Sequence, residues 1–255
     1  MQTTARILGG IAALVAAVAA TAWIGLRIAV PGRFTTVQRV LMVLATGLVR
    51  LRWGARYARR MPCPRGSGAV YIANHRSSID PFFLQVRSDR PMHWMVAKEF
   101  CEHRRFRWFL RQCEVIPTNR GGTDTAATKS AIRFAAEGDY VGMFPEGRIN
   151  ATDDLLLPCR PGAIVVALRA RVPVIPCYIE GSPYGGTAGS PIRMRARVRV
   201  HFGEPIDLAE YYERCNDADA VREAAIKCLK EIARLAGRDD FEPTLAGRRW
   251  LPEGE

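Results

Sequence analysis

The first 79 residues of this 255-residue chain contain no aspartate, glutamate or lysine. Their only charged side chains are eleven arginines, which account for nearly all of the formal net charge of +12. The rest of the chain, residues 80–255, is close to neutral. Because the arginines of the N-terminal third have no acidic partners within that third, this region is expected to meet an anionic surface.

Two kinds of polyanion could be the partner of an arginine-rich region. Nucleic acid is one of them, and anionic lipid headgroups are the other. The arginines here are interleaved with leucine, valine, tryptophan and alanine, and they follow a long apolar stretch. This pattern favours membrane lipid as the partner, and we expect no nucleic acid.

Several common active-site patterns are missing. No two of the seven cysteines lie within five residues of each other, which excludes a local metal knuckle or redox pair. The four histidines form no His-Glu-x-x-His pattern, and no Gly-Lys phosphate loop occurs. The segment Gly181-Ser182-Pro183-Tyr184-Gly185 has its serine one place too early for a hydrolase nucleophile elbow. We therefore expect no metal site, no cofactor and no serine-hydrolase triad.

An uncharged stretch runs through residues 7–26. At about 1.5 Å per residue it would cover roughly 30 Å, the thickness of a bilayer core. It could be a retained transmembrane anchor or a signal peptide with Arg6 as its basic end and a cleavage site at 20–22. More arginines follow the stretch than precede it, which favours an anchor at the inner membrane with the rest of the chain on the cytoplasmic side.

A second apolar stretch, at about 37–52, is too short and too charged to span comfortably. It is typical of an amphipathic helix lying in the membrane interface, although a helix packed on the globular domain is the alternative. Prolines and glycines at residues 62–68 then indicate a loop that separates this stretch from the rest of the chain. We predict an N-terminal membrane-anchoring region at 1–60 and a catalytic domain at 61–255.

Predicted strands and helices alternate through the second region. Strands are predicted at 69–73, 92–97, 114–117, 140–144, 174–179 and 193–202. Helices are predicted at 81–86, 99–111, 123–136, 162–171 and 218–236, with a Gly/Ser loop at 181–190. This alternation indicates an α/β layered domain.

The segment from Asn74 to Asp80 follows a predicted strand and leads into a helix, a frequent position for active sites in α/β folds. A neutral histidine can accept a hydroxyl proton when a carboxylate orients it. His75 and Asp80 would point apart in a regular helix, so the pair requires a turn that folds back. Asp80 before Pro81 fits such a turn, with the aspartate as helix cap. By itself, however, the pair could be a loop histidine and a simple cap.

Three weaker motifs follow along the chain. Phe144-Pro145-Glu146-Gly147-Arg148 is turn-rich, with a glycine that permits close backbone approach and an arginine suited to phosphate. Val115 to Arg120 ends in another arginine, and Val172 to Pro176 carries two prolines. Each alone could be an ordinary turn, surface charge or structural feature.

Together, and in this order, the four motifs resemble the glycerolipid acyltransferase family, which includes 1-acylglycerol-3-phosphate acyltransferases. Asn74, His75 and Asp80 match its Asn-His…Asp block, and Phe144 to Gly147 match its Phe-Pro-Glu-Gly block. Arg120 matches the end of another block, and Val172, Pro173 and Pro176 match a Val-Pro-x-x-Pro element. The resemblance covers roughly residues 65–210. One departure is that Arg148 follows Gly147 directly, where the family usually has a threonine first, and this leaves the acceptor open.

The resemblance implies a fold and a mechanism. The fold would be a central mixed sheet flanked by helices, joined to an N-terminal membrane helix. His75 would deprotonate an acceptor hydroxyl that attacks the thioester of acyl-CoA or acyl carrier protein, and Asp80 would orient His75. The acceptor's polar head would be bound by the substrate-binding residues Asn74, Arg120, Glu146, Gly147 and Arg148.

Two alternatives stay open at this point. The acceptor could be a different lysolipid, or an amino-acid or sugar lipid. The chain could instead be a catalytically silent relative that binds lipid at the membrane. The acyl chain length, the choice between coenzyme A and carrier protein, and the oligomeric state are not encoded in any pattern recognised in the sequence.

Overall fold

The computed structural model describes residues 17–119 and 125–246. Its strands are β1 (Arg56–Tyr57), β2 (Ala69–Ala73), β3 (Met92–Ala97), β4 (Ile116–Thr118), β5 (Tyr140–Met143), β6 (Val174–Glu180) and β7 (Arg199–Phe202). They form one seven-stranded sheet in the order β1-β7-β6-β2-β5-β3-β4. The β6–β7 pair is antiparallel and the other pairs are parallel, so the sheet is mixed as predicted.

Helices precede, connect and follow these strands. The first, α1, occupies residues 17–29 of the described chain. The others are α2 (Thr36–Gly47), α3 (Asp80–Gln85), α4 (Lys98–Glu102), α5 (Arg107–Gln112), α6 (Thr125–Ala136), α7 (Gly162–Ala170), α8 (Ser190–Arg193) and α9 (Ala218–Leu235). A π-helical turn (Leu48–Arg52) extends α2, and a 3-10 helix (Ala209–Arg214) precedes α9.

Strand β2 lies at the centre of the sheet, and all five of its residues are buried. Because successive side chains of a strand point to opposite faces, β2 contributes to two hydrophobic clusters. Val70 and Ile72 pack with the cluster that includes α6, α7 and α9. Ala69, Tyr71 and Ala73 pack with the cluster on the other face, which contains most of the buried aromatic side chains. The sheet is therefore covered on both sides, and its strand ends are what remain open for a site.

Most predicted elements are observed within a few residues of their predicted bounds, but two differ. The helix predicted at 99–111 is two short helices, α4 and α5, because His103 has an extended backbone (ψ 126°) that interrupts the hydrogen-bond ladder. The strand predicted at 193–202 is paired only from Arg199 to Phe202. Before it, residues 190–193 form the short helix α8. The predicted strand was therefore too long, because the alternation of arginines begins before the residues that pair with β6.

The structure does not confirm the predicted transmembrane helix. Among the residues that the structure describes, no helix is long and apolar enough to cross a membrane. The predicted stretch begins at residue 7, and its first ten residues lie outside the described range. Its remaining residues form the larger part of α1.

A close contact between strands β3 and β5 depends on one glycine. Gly142 lies opposite Trp94 in the register, and a Cβ atom at position 142 would be 2.6 Å from three atoms of the indole ring. We expect Gly142→Ala to lower the free energy of unfolding by about 1–3 kcal/mol, because the buried indole would have to shift. Urea denaturation measures this change.

Gly47→Ala is the matched control for that substitution. A Cβ at Gly47 meets nothing within 4 Å, and the residue lies in a helix. This control should gain up to about 1 kcal/mol from helix propensity. If Gly142→Ala were as stable as the wild type, the close packing of Trp94 would not constrain this position.

Candidate active site

The candidate site lies where three neighbouring strands end. His75 follows the last residue of β2 by two positions, Phe144 follows β5 directly, and Ser182 follows β6 by two positions. Strands β5, β2 and β6 are adjacent and parallel, so their carboxyl ends meet at one edge of the sheet. Ligands of open α/β sheets bind in this region.

His75 and Asp80 are joined by the fold-back turn that the spacing required. The ring Nδ1 of His75 lies 3.0 Å from Oδ2 of Asp80. The turn is closed by the amide of Asp80, which donates to the carbonyl of Ser77 at 3.1 Å. The prediction that Asp80 is the N-cap of the helix is wrong. Ile79 occupies the N-cap position, and Asp80 is the first residue of α3. The carboxylate of Asp80 points back toward the loop instead of capping its own helix.

The carboxylate of Asp80 is completely buried and accepts four hydrogen bonds. Its Oδ2 accepts from His75 Nδ1 and from the amides of Arg76 and Ser77, both at 2.7 Å. Its Oδ1 accepts from the hydroxyl of Ser182 at 2.6 Å. A buried carboxylate needs this many donors to remain charged away from water. With the Asp80 carboxylate as the acceptor, a neutral imidazole carries its proton on Nδ1 and has its lone pair on Nε2.

The imidazole ring of His75 is held between protein and solvent. It stacks on the ring of Phe144 with 3.9 Å between centroids and 7° between planes. Its side chain is 16% exposed, and within the described chain Nε2 has no hydrogen-bond partner. A neutral imidazole whose Nε2 is not bonded to protein can accept a proton from an incoming hydroxyl.

Glu146 supports the backbone on which His75 is carried. Its side chain is fully buried, and its two oxygens accept from the amides of His75 at 2.6 Å and Leu157 at 2.9 Å. Burial raises the pKa of Glu146, and the two amide donors act in the opposite direction. Both oxygens are used in these contacts, so Glu146 connects the loop after β5 to the loop after β2.

The other predicted site residues occupy different surroundings. Asn74 is buried, and its amide group donates to the carbonyl and accepts from the amide of Ile179, which joins β2 to β6. Gly147 has a positive φ of 63° in a turn closed by its amide, and Arg148 beside it is exposed. Arg120 lies outside the described residues. The structure therefore brings together His75, Asp80 and Glu146, with Asn74 directly behind them.

Sequence reasoning missed two side chains that shape the site. The guanidinium of Arg76 donates to the carbonyls of Asn150, Thr152 and Asp154 and so holds the loop that follows the Phe-Pro-Glu-Gly segment. The hydroxyl of Ser182 reaches Asp80 from the loop after β6. The position of Ser182 could have indicated its role. It follows the end of strand β6 by two residues, as His75 follows the end of strand β2. No cluster of three or more metal-ligand side chains occurs within residues 17–119 and 125–246.

Comparison with known proteins identifies the class of enzyme. A family model described as Acyltransferase matches residues 55–180. The 1-acyl-sn-glycerol-3-phosphate acyltransferase of Bacillus subtilis is 25% identical over 165 residues, covering 64% of this chain and 79% of its own. The enzyme of the same name from Streptococcus pneumoniae is 27% identical over 205 residues, covering 79% of this chain and 73% of its own.

A solved structure agrees at the level of the fold. The 1-acyl-sn-glycerophosphate acyltransferase of Thermotoga maritima superposes with a TM-score of 0.59 at 17% identity, over 79% of this chain and 81% of that one. Fold, matched segment and relatives together define an acyltransferase. The chain belongs to the glycerolipid acyltransferase family, as the four motifs indicated.

The role of Glu146 can be tested by stability. Glu146→Ala removes the acceptor of two backbone amides, and leaving a buried donor unpaired costs about 1–3 kcal/mol each. We therefore expect the free energy of unfolding to fall by about 2–6 kcal/mol in urea denaturation. The control Glu137→Ala removes an exposed carboxylate at the end of α6 and should change stability by less than about 0.5 kcal/mol. Equal effects of the two substitutions would contradict the supporting role of Glu146.

Proposed function

We propose that this protein transfers a fatty acyl group from a thioester, acyl-CoA or acyl carrier protein, to the free hydroxyl of 1-acylglycerol-3-phosphate, giving phosphatidic acid. The observation that carries the proposal is the oriented His75 imidazole, with Nδ1 on a buried carboxylate and with no hydrogen-bond partner for Nε2 among the described residues. The relatives named as 1-acyl-sn-glycerol-3-phosphate acyltransferases support the choice of acceptor.

The proposed reaction is a direct transfer with general-base catalysis. Nε2 of His75 accepts the proton of the acceptor hydroxyl while the hydroxyl oxygen attacks the carbonyl carbon of the thioester. Asp80 stabilises the imidazolium that forms. The tetrahedral intermediate collapses, the carbon–sulfur bond breaks, and the leaving thiolate takes the proton from Nε2. The ester bond replaces the thioester bond, the free imidazole is regenerated, and no cofactor beyond the thioester substrate is needed.

The polar head of the acceptor is proposed to bind at the loops after β4 and β5. Gly147 allows the backbone to approach a phosphate closely, and the guanidinium groups of Arg120 and Arg148 suit its charge. Asn74 and Glu146 contribute indirectly in this proposal, because their polar atoms already hold the backbone of the site. Arg148 follows Gly147 directly, without the threonine that is usual in the family. The identity of the acceptor is therefore the part of the proposed function that most needs measurement.

The surface of α2 supports a membrane location. Its buried residues include the polar Gln38 and Arg39, while Val40 and Leu44 are 46% and 60% exposed. Gln38 donates to the carbonyl of Gln112 and to Glu114, which fixes α2 on the catalytic body. The helix also buries Met42 and Ala45, so it has apolar side chains on both its inner and its outer surface. Exposed apolar side chains on the outer surface are unfavourable in water and favourable against lipid.

The same surface continues beyond α2 and carries positive charge. Leu48 and Leu51 of the π-helical turn are 41% and 89% exposed. Together with Leu44 they line a shallow groove that also includes Arg52 and Arg195. Leucines beside arginines fit the boundary between acyl chains and anionic headgroups. We propose that this face holds the enzyme on the cytoplasmic side of the membrane, where a lysolipid acceptor resides.

Substitution of His75 and Asp80 tests the catalytic proposal. With radiolabelled 1-acylglycerol-3-phosphate and acyl-CoA in mixed micelles, His75→Ala should lower kcat by roughly 10²–10⁴-fold, since the base is removed. Asp80→Asn should also lower kcat, because the imidazolium loses its counter-charge. His103→Ala, an exposed histidine outside the site, is the control and should turn over like the wild type. Wild-type kcat in His75→Ala would end the catalytic proposal.

The acceptor is tested by changing the lysolipid in the same assay. A panel should include 1-acylglycerol-3-phosphate, lysophospholipids with larger headgroups, an acylated amino acid and a sugar-lipid precursor. We expect the highest kcat/KM with 1-acylglycerol-3-phosphate, because its phosphate is unshielded and accessible to arginine. A higher kcat/KM for another acceptor would show that 1-acylglycerol-3-phosphate is not the preferred substrate. The proposed acyltransfer chemistry would still stand.

Vesicle binding tests the membrane proposal. Leu44→Glu combined with Leu51→Glu should lower partitioning onto anionic vesicles by at least about tenfold, since burial of one leucine contributes about 1.5–3 kcal/mol. Ala136→Glu also adds a charge, at the exposed end of α6, and should bind like the wild type. High salt alone should not release the wild-type protein from membranes, whereas detergent should. Release by salt, or equal binding of the Leu44/Leu51 variant, would contradict apolar insertion.

A further inference from the structure

Asp80 is hydrogen-bonded asymmetrically by its surroundings. Three donors, His75 Nδ1 and the amides of Arg76 and Ser77, converge on Oδ2. The other oxygen, Oδ1, is completely buried and accepts from one group, the hydroxyl of Ser182 at 2.6 Å. This short contact is the length expected for a hydroxyl bonded to an ionised carboxylate.

The chain places Ser182 at this position through the loop after β6. Gly181 has a φ of 76°, and a Cβ there would be 2.5 Å from the carbonyl oxygen of Arg197, so the turn requires glycine. The loop is then tied to the active-site turn by two hydroxyl groups. Ser77 donates to the carbonyl of Pro183 at 2.6 Å, and Ser78 donates to the carbonyl of Ala188 at 2.7 Å. Ser182 therefore lies between the Gly181 turn, which precedes it, and the two contacts at Pro183 and Ala188, which follow it.

We infer that Ser182 is a positioning residue for acyl transfer, which holds the Asp80 carboxylate in the rotation that lets Asp80 orient His75. The inference rests on the proposed His75–Asp80 catalysis. The hydroxyl of Ser182 donates to Oδ1 of Asp80, whereas the imidazole is bonded to the other oxygen, Oδ2. Its effect on the reaction must therefore pass through the carboxylate.

Removal of the Ser182 hydroxyl should affect the chemical step more than substrate binding. Without it, Oδ1 of Asp80 is a buried charged atom with no donor, and a hydrogen bond to a charged group contributes enough to account for about a 10–100-fold change. We expect Ser182→Ala to lower kcat by that factor while KM for both substrates stays within about twofold. Ser182→Thr keeps the hydroxyl and should recover most of the lost kcat.

A double-substitution cycle with Asp80 separates a positioning role from a structural one. In the Asp80→Asn background the carboxylate is already gone, so adding Ser182→Ala should lower kcat by less than about twofold. A serine needed only to keep the loop folded would lower kcat by the same factor in both backgrounds. Ser190→Ala is the control for the loop, because its hydroxyl contacts Gly185 and Thr187 and does not reach Asp80.

The outcomes distinguish this inference from the proposed function. If Asp80→Asn and His75→Ala lose activity but Ser182→Ala retains the wild-type kcat, the Ser182 inference is wrong and the catalytic proposal stands. Equal losses from Ser182→Ala in both backgrounds would also overturn it. If Asp80→Asn itself has the wild-type kcat, the proposed catalytic role of Asp80 is wrong, and the Ser182 inference that depends on it is wrong as well. Urea denaturation of each variant confirms that the compared proteins are folded.

Discussion

The candidate site depends on one buried carboxylate. The carboxyl group of Asp80 has no exposure to water and accepts hydrogen bonds from donors in two separate loops. Burying a carboxylate is unfavourable unless donors replace its hydration. The turn after β2 and the loop after β6 must therefore close around Asp80 together. This requirement fixes where His75 lies, because its Nδ1 is one of those donors.

The sheet makes this arrangement available. Strands β5, β2 and β6 run parallel side by side, so three loops that are far apart in the sequence emerge at one edge. Asn74 joins two of these strand ends, and Glu146 joins the loop after β5 to the backbone of His75. These polar contacts are all directed at backbone, and they set the geometry of the imidazole before any substrate arrives. The hydrophobic core supports the strands, and the buried polar groups position the loops.

Much of this could be predicted from the sequence. The alternation of strands and helices predicted the mixed α/β sheet, and the Asn74 to Asp80 spacing predicted a fold-back turn. Three details could not be predicted, each for a physical reason. The 99–111 segment divides into two helices because of the extended backbone at His103, which no periodicity encodes. The buried position of Glu146 and the contact between Ser182 and Asp80 both depend on loops brought together by tertiary packing. Apolar content at the N-terminus predicted a spanning helix, and none is found among the described residues.

Chemical rescue of the missing base tests the central claim most directly. His75→Gly opens space for a free imidazole beside Asp80 and Phe144. The account predicts that this variant transfers acyl groups very slowly and that added imidazole raises its rate in proportion to concentration, with no effect on the wild type. If His75→Gly transferred acyl groups at the wild-type rate without imidazole, His75 could not be the base and the account would be contradicted.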